Sequence, residues 1–244
     1  MSALRLEIAA NALGSALAAQ DGGADRVELC ENLGEGGCTP SYGTLALARE
    51  RLRIGLHVLV RPRAGDFLYA PHECDTMLRD IELCVRLGCD GVVIGALDAD
   101  GGIDMALCRA LVQAAAGLDV TFHRAFDAAR DPMQALEHVI ALGCRRVLTS
   151  GARAGAPEGT ETIAACVAQA DGRIEVMAGA GLTVTNVTAL VQRTGVRDLH
   201  ASAKQRVRSA MRWHNPALVG LEPDWTATGV AAVAALRRAL DGAG

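Results

Sequence analysis

Aromatic residues are scarce in this chain, at 3% of 244 residues, so its core cannot be built around large rings. Half of the residues are apolar, and the interior must therefore be filled by Ala, Val, Leu and Ile, the palette of helices packed on a parallel sheet. Long apolar runs are missing as well. No stretch approaches the ~20 residues that span a bilayer, and the start Met1-Ser2-Ala3-Leu4-Arg5 lacks the three regions of a secretion signal. A cytoplasmic protein with no membrane partner is expected. Nor is there a basic stripe with interleaved aromatics, and the net charge is −4, which argues against nucleic acid as a partner. Cys-x-x-Cys is absent although the chain has 8 cysteines. Without a secretion signal these read as reduced thiols, and Cys84, Cys108 and Cys166 fall in helical patterns where they pack as small hydrophobes. Cys84 and Cys89 straddle a helix end at Gly88 with no histidine nearby, a structural pair rather than a metal site.

What is present is a regular alternation of strand and helix periods without a linker. Strand-like runs fall at 4–9, 26–29, 55–60, 91–95, 119–122, 146–149, 173–178 and 198–202. Helical patterns fall at 12–21, 41–51, 72–87, 104–116, 132–142, 160–170, 185–193 and 228–240. Start signals are Ser41, Asp131-Pro132, and Thr183 or Thr185. Gly23, Gly88, Gly143 and Gly195 each stop a helix and lead into a strand, a device that recurs every two βα units. Eight such pairs predict a single (β/α)8 TIM barrel over residues 1–244, with the segment 205–244 the least defined. A doubly wound open sheet is the alternative.

In a barrel all strand exits share one face, and there the ionisable groups gather. Val120-Thr121-Phe122 runs into His123, Arg124 and Asp127, a combination suited to general acid or base work. Glu7 and Glu28 stand between apolar neighbours in the first two strands. They are either acid and base groups or part of an ion network closing the barrel top, with Arg61, Arg63 and Arg124 as candidate partners. Arg61 and Arg63 flank Pro62 and present forked donors to an anion, unless Asp66 neutralises one of them. Ser150, Gly179, Gly181, His200 and Ser202 follow strands six to eight, where barrels often bind phosphate, although tight turns also require glycine. His57 reads as a satisfied core histidine. The loop Cys30–Pro40 is long for its position and could cover the mouth as a lid.

Five segments together resemble the CutC copper homeostasis family: Gly23–Cys30, Glu35–Ser41, Arg61–Phe67, Val120–Asp127 and Arg146–Gly151. They spread over most of residues 4–205. The resemblance implies a TIM barrel, a cytoplasmic location, self-association as a homodimer or higher oligomer, and copper handling through Cu(I), for which soft thiolates are suited. It makes Cys30 the candidate metal ligand. Family members often carry a second cysteine two residues after the first-strand Glu, whereas this chain has Ala9, which leaves Cys38 on the adjacent loop as the substitute. A mouth of Glu, Arg, His, Asp and Ser suits an oxyanion better than a copper carrier. Two functions are therefore expected: a copper homeostasis protein using Cys30, or an enzyme acting on a small phosphorylated or carboxylated metabolite.

Overall fold

The computed structural model describes residues 4–243, and the expectations for residues 1–3 and 244 lie outside them. Eight parallel strands close into a barrel in sequence order: β1 (Arg5–Ala10), β2 (Arg26–Leu29), β3 (Gly55–Leu59), β4 (Gly91–Ile94), β5 (Asp119–Phe122), β6 (Arg146–Thr149), β7 (Glu175–Gly179) and β8 (Asp198–Ala201). Pairing of β1 with β8 completes the ring and rules out the open sheet. The surrounding helices are α1 (Leu13–Asp21), α2 (Tyr42–Arg51), α3 (Pro71–Leu87), α4 (Met105–Ala114), α5 (Pro132–Ala141), α6 (Thr160–Ala170), α7 (Val187–Thr194) and α8 (Val230–Asp241). No helix among the described residues is long and apolar enough to cross a membrane.

Alternation along each strand sorts the side chains. Leu6, Ile8, Val27, Leu29, Leu199 and their counterparts point outward into one core shared with the helices. The amphipathic stripe of α3 shows the other side of that core, with Met77, Ile81 and Cys84 buried at helical spacing. Cys84 and Cys89 lie in the same apolar core. Inward positions carry the polar residues: Glu7 lies level with Arg26 of β2 and His200 of β8.

Local chemistry explains the element boundaries. Ser41 accepts the Thr44 N–H at 3.4 Å, and Asp131 accepts those of Met133 and Gln134 at 3.0 and 3.1 Å ahead of Pro132. The helix-stopping Gly88 and Gly195 adopt φ of 70° and 74°, a left-handed conformation that L side chains disfavour. Neither Thr183 nor Thr185 caps α7, because Asn186 holds the cap position and its Oδ1 accepts the Thr183 N–H at 2.9 Å. An antiparallel hairpin, β9 (Lys204–Val207) and β10 (Trp225–Thr228), intervenes between β8 and α8. Nothing in the sequence pattern announced it, since its residues are mostly exposed and lack an apolar alternation.

Candidate active site

The C-terminal ends of the strands surround a cavity of about 1020 Å³. Glu28 and His200 border it from the strands, with Leu59, Leu148 and Ala9 as apolar wall. His123, Arg124 and Asp127 reach it after β5, Arg153 after β6, Gly181 and Thr183 after β7, and Ser202 and Lys204 after β8. Leu33, Glu35 and Gly36 border it from the 30–40 loop, which therefore does lie at the mouth.

His200 is the hinge of the arrangement. Its Nδ1 lies 2.8 Å from Glu7 and its Nε2 3.5 Å from Glu28, so the imidazole bridges two buried carboxylates. Burial would push Glu7 up, but Arg26 and then His200 hold it well below the usual carboxylate range. Glu28 makes no ion pair with a guanidinium among the described residues, and Arg26 acts on it only from a distance. Burial raises its carboxyl to about 7, with His200 pulling it back only in part. For His200 burial works to lower the pKa, and the two carboxylates, Glu28 first, outweigh it and raise it. One anchored carboxylate, one imidazole and one carboxyl poised near neutrality form a chain able to hold or move a proton.

Glu7 does not border the cavity; it sits one layer below, bonded to the Arg26 guanidinium. Arg26 also meets Asp198 at 3.2 Å, and Arg5 bridges Asp198 and Glu175 at 2.9 and 2.7 Å. Arg146 continues the ring through Asp119 at 3.1 Å and Glu175 at 3.3 Å. The ion network expected at the barrel top thus lies at the opposite end, and its cations are strand residues rather than Arg61, Arg63 or Arg124. The signal was available: Arg26, Arg146 and Asp198 open their strands in positions that must face inward.

Arg61 borders the cavity, but its guanidinium donates to the carbonyls of Glu35, Gly37 and Gly65 at 2.8–2.9 Å and stacks 5.1 Å from the Phe67 ring centroid. It fastens the 30–40 loop to the β3 exit, and among the described residues only its buried Nε is left without a partner. Arg63 lies outside the cavity lining, paired with Glu73 at 2.6 Å and Asp66 at 2.9 Å. Asp66 therefore does neutralise an arginine, as the alternative had it. Arg124 meets Asp127 at 2.8 Å and Ser150 Oγ at 2.8 Å. Asp127 in turn accepts from Thr149 Oγ1 at 2.5 Å, the Ser150 N–H at 2.9 Å and the Ala152 N–H at 3.0 Å. That occupies its lone pairs in shaping the β6 exit. Ser150 is buried and off the cavity, and Gly179 makes room for Leu148 and His200, since a Cβ there would fall 2.6 and 3.2 Å from them.

His123 is buried and lies against Phe67, ring centroids 5.1 Å apart. Its Nδ1 accepts the Ala125 N–H at 3.0 Å, which fixes Nε2 as the protonated nitrogen, and Nε2 has no partner among the described residues. Burial, then Arg61, pushes its pKa down to about 3, so the ring is a neutral donor at physiological pH. His57 is buried as expected but not satisfied: Nδ1 lacks a partner, and burial lowers its pKa to about 4.

Cys30 packs against Leu59, Val93 and Leu33, and burial, then Glu28, pushes its thiol up. Cys38 pairs through its backbone with Glu31. Copper(I) favours soft thiolates; burial, Glu28 and the nearby Cys38 all keep the Cys30 thiol protonated, and Ala9 supplies no sulfur, so a ready thiolate pair is not preformed here.

Fold and site together define a (β/α)8 barrel whose C-terminal mouth holds a mostly apolar cavity with a buried Glu7–His200–Glu28 cluster at its wall. The chain belongs to the CutC family, whose family model matches residues 4–205. It is 58% identical over 228 residues to the CutC protein of Xanthomonas campestris pv. campestris strain B100, spanning 93% of this chain and 95% of that one. With the CutC protein of Xylella fastidiosa strain 9a5c it shares 56% identity over 235 residues, 96% of this chain and 88% of the other. The crystal structure of CutC from Streptococcus agalactiae, described provisionally as a copper homeostasis protein, superposes with a TM-score of 0.78 at 35% identity, over 82% of this chain and 98% of that one.

Proposed function

We propose that this chain is an acid–base catalyst acting on a small phosphorylated or carboxylated metabolite. The copper homeostasis role provisionally attached to the S. agalactiae relative, carried over to this chain, runs through that chemistry rather than through a bound copper ion. The observation that carries the proposal is His200, held between Glu7 at 2.8 Å and Glu28 at 3.5 Å on the wall of the cavity. Glu28 takes or gives the proton, His200 shares it, and Glu7 positions His200. His123 offers its Nε2–H to a substrate oxygen without becoming charged. Self-association in the cytoplasm belongs to the same proposal, and light scattering of the purified protein tests the oligomeric part.

The catalytic part is tested by incubating the protein with a mixture of small anionic metabolites and following each compound by mass spectrometry. One component should change with wild type and stay constant with Glu28→Gln. If no compound changes in a Glu28-dependent way, the catalytic reading fails. The competing copper-binding reading predicts near-stoichiometric Cu(I) uptake by the reduced protein that weakens in Cys30→Ser. Equal uptake by both proteins removes the direct site at Cys30.

A further inference from the structure

Two exposed cations at the mouth stand without a carboxylate, in a chain of net charge −4, besides the buried Arg61 that backbone carbonyls hold. Arg153, in the loop after β6, and Lys204, at the start of β9, are exposed, border the cavity and enter no ion pair among the described residues. Single exposed cations are ordinary. These two lie on loops that the fold brings together over one pocket. The Arg153 carbonyl accepts from Ser150 Oγ at 2.6 Å, and the Ala156 N–H donates to the Ala180 carbonyl at 3.0 Å, which draws the β6 loop onto the β7 loop. On the other side, Thr228 Oγ1 donates to the Ser202 carbonyl at 3.2 Å and the Gly229 N–H to the Ala203 carbonyl at 3.1 Å. The hairpin thereby pins Ser202, Ala203 and Lys204 to the rim.

Backbone strain gathers at the same rim. Ala152, Ala180 and Ala203 have φ of 56°, 72° and 45°, a left-handed conformation uncommon for a residue with a Cβ. Each follows one of the strands β6, β7 and β8, and all three border the cavity. Such outliers persist where surrounding structure enforces them, often at ligand sites.

We propose that this rim is a phosphate handle and that the substrate is a phosphate monoester. The proposal rests on the acid–base reading of the cavity and names its substrate class. Arg153 and Lys204 hold the dianion with the Ser202 hydroxyl, and the carbon skeleton runs inward to Glu28. The two exposed, unpaired cations match two negative charges, whereas a monocarboxylate would leave one of them unmatched. The exits of the seventh and eighth strands are also where barrels commonly bind phosphate.

Inorganic phosphate is the probe, titrated by calorimetry at fixed ionic strength into wild type, Arg153→Ala, Lys204→Ala and the double variant, with malonate as a carboxylate dianion for comparison. Both residues are exposed, so the variants should fold. Wild type should bind phosphate more tightly as pH rises and the dianion forms, each single variant about tenfold more weakly, and the double variant not measurably. Undiminished binding by the double variant, no binding by wild type, or equal binding of malonate would overturn the handle. No turnover enters this experiment, so its failure leaves Glu28-dependent conversion standing, and a failure of conversion leaves phosphate binding standing.

Discussion

The two ends of the barrel lumen use the same residue types to opposite effect. At the N-terminal end Arg5, Arg26 and Arg146 are matched by Glu7, Asp119, Glu175 and Asp198, and nearly every charge has a partner of opposite sign within 3.3 Å. Near the mouth, Glu28 has only the 3.5 Å approach of His200, and His123 Nε2 has no partner. Paired charges cannot be moved cheaply and so close the barrel floor. Unpaired groups have room for a substrate to complete them. Glu7 belongs to both sets, because one oxygen faces Arg26 and the other His200.

Cutting into the floor should give the largest effect on folding. Arg26→Met leaves Glu7 buried without its guanidinium and Asp198 with Arg5 alone, and a loss of roughly 3–5 kcal/mol in urea denaturation is expected. An unchanged midpoint would mean that the floor is not a coupled network. The same kind of change at the mouth should act on chemistry instead. Glu28→Gln should keep the midpoint within about 1 kcal/mol, since it removes a carboxyl that burial already disfavours. Any Glu28-dependent turnover should fall by about 10²–10⁴. A stability loss comparable to that of Arg26→Met would erase the distinction between the two ends.

Why the mouth stands out in the sequence more plainly than the floor follows from how strands end. His123, Arg124 and Asp127 break an apolar run, and any polar break at a strand exit stands out; so do Ser202 and His200. The barrel itself was legible because strand and helix periods alternate and the glycines punctuate them. Arg26 and Asp198 begin their strands, where a charge looks like ordinary loop polarity, and only the alternation through Glu7 and His200 reveals that they face inward. Arg61 illustrates the opposite failure. Its position at a strand exit suggested a ligand donor, yet three backbone carbonyls take its guanidinium, and sequence contains no sign of carbonyls brought in by a distant loop.

Acid should separate the buried histidines from Glu28. Burial depresses His57 to about 4 against the pull of Glu7, and burial, then Arg61, depresses His123 to about 3. Their unfolded forms take up protons below about 6.5 while the native forms do not, so the unfolded state binds more protons and stability falls as pH drops through that value. The loss is on the order of 2 kcal/mol per histidine between pH 6.5 and 5. Glu28 works in the other direction: with a native pKa of about 7, it binds a proton in the folded state above its unfolded value of 4.5 and so favours folding on the acid side. Urea midpoints at pH 6.5 and 5 should therefore drop for wild type, drop less for His123→Gln and drop more for Glu28→Gln. Identical drops in the three proteins would show that these groups do not titrate as their burial demands.

The smallest effect tests whether leaving a strand is enough to join the site. Arg63 and Arg124 both follow a strand by a few residues and both pair with a carboxylate three positions on, Asp66 at 2.9 Å and Asp127 at 2.8 Å. Only Arg124 borders the cavity. The pairing of Arg63 with the carboxylates of Asp66 and Glu73 is solvent-screened, so Arg63→Ala should leave the urea midpoint unresolved from wild type and should leave any stabilisation by a small anion intact. Arg124→Ala removes a cation from the mouth and frees Asp127 to repel an anion, so the same stabilisation should weaken. Equal loss in the two variants would mean that long-range charge, rather than contact at the mouth, governs anion binding, and raising the salt concentration would then abolish it in wild type as well.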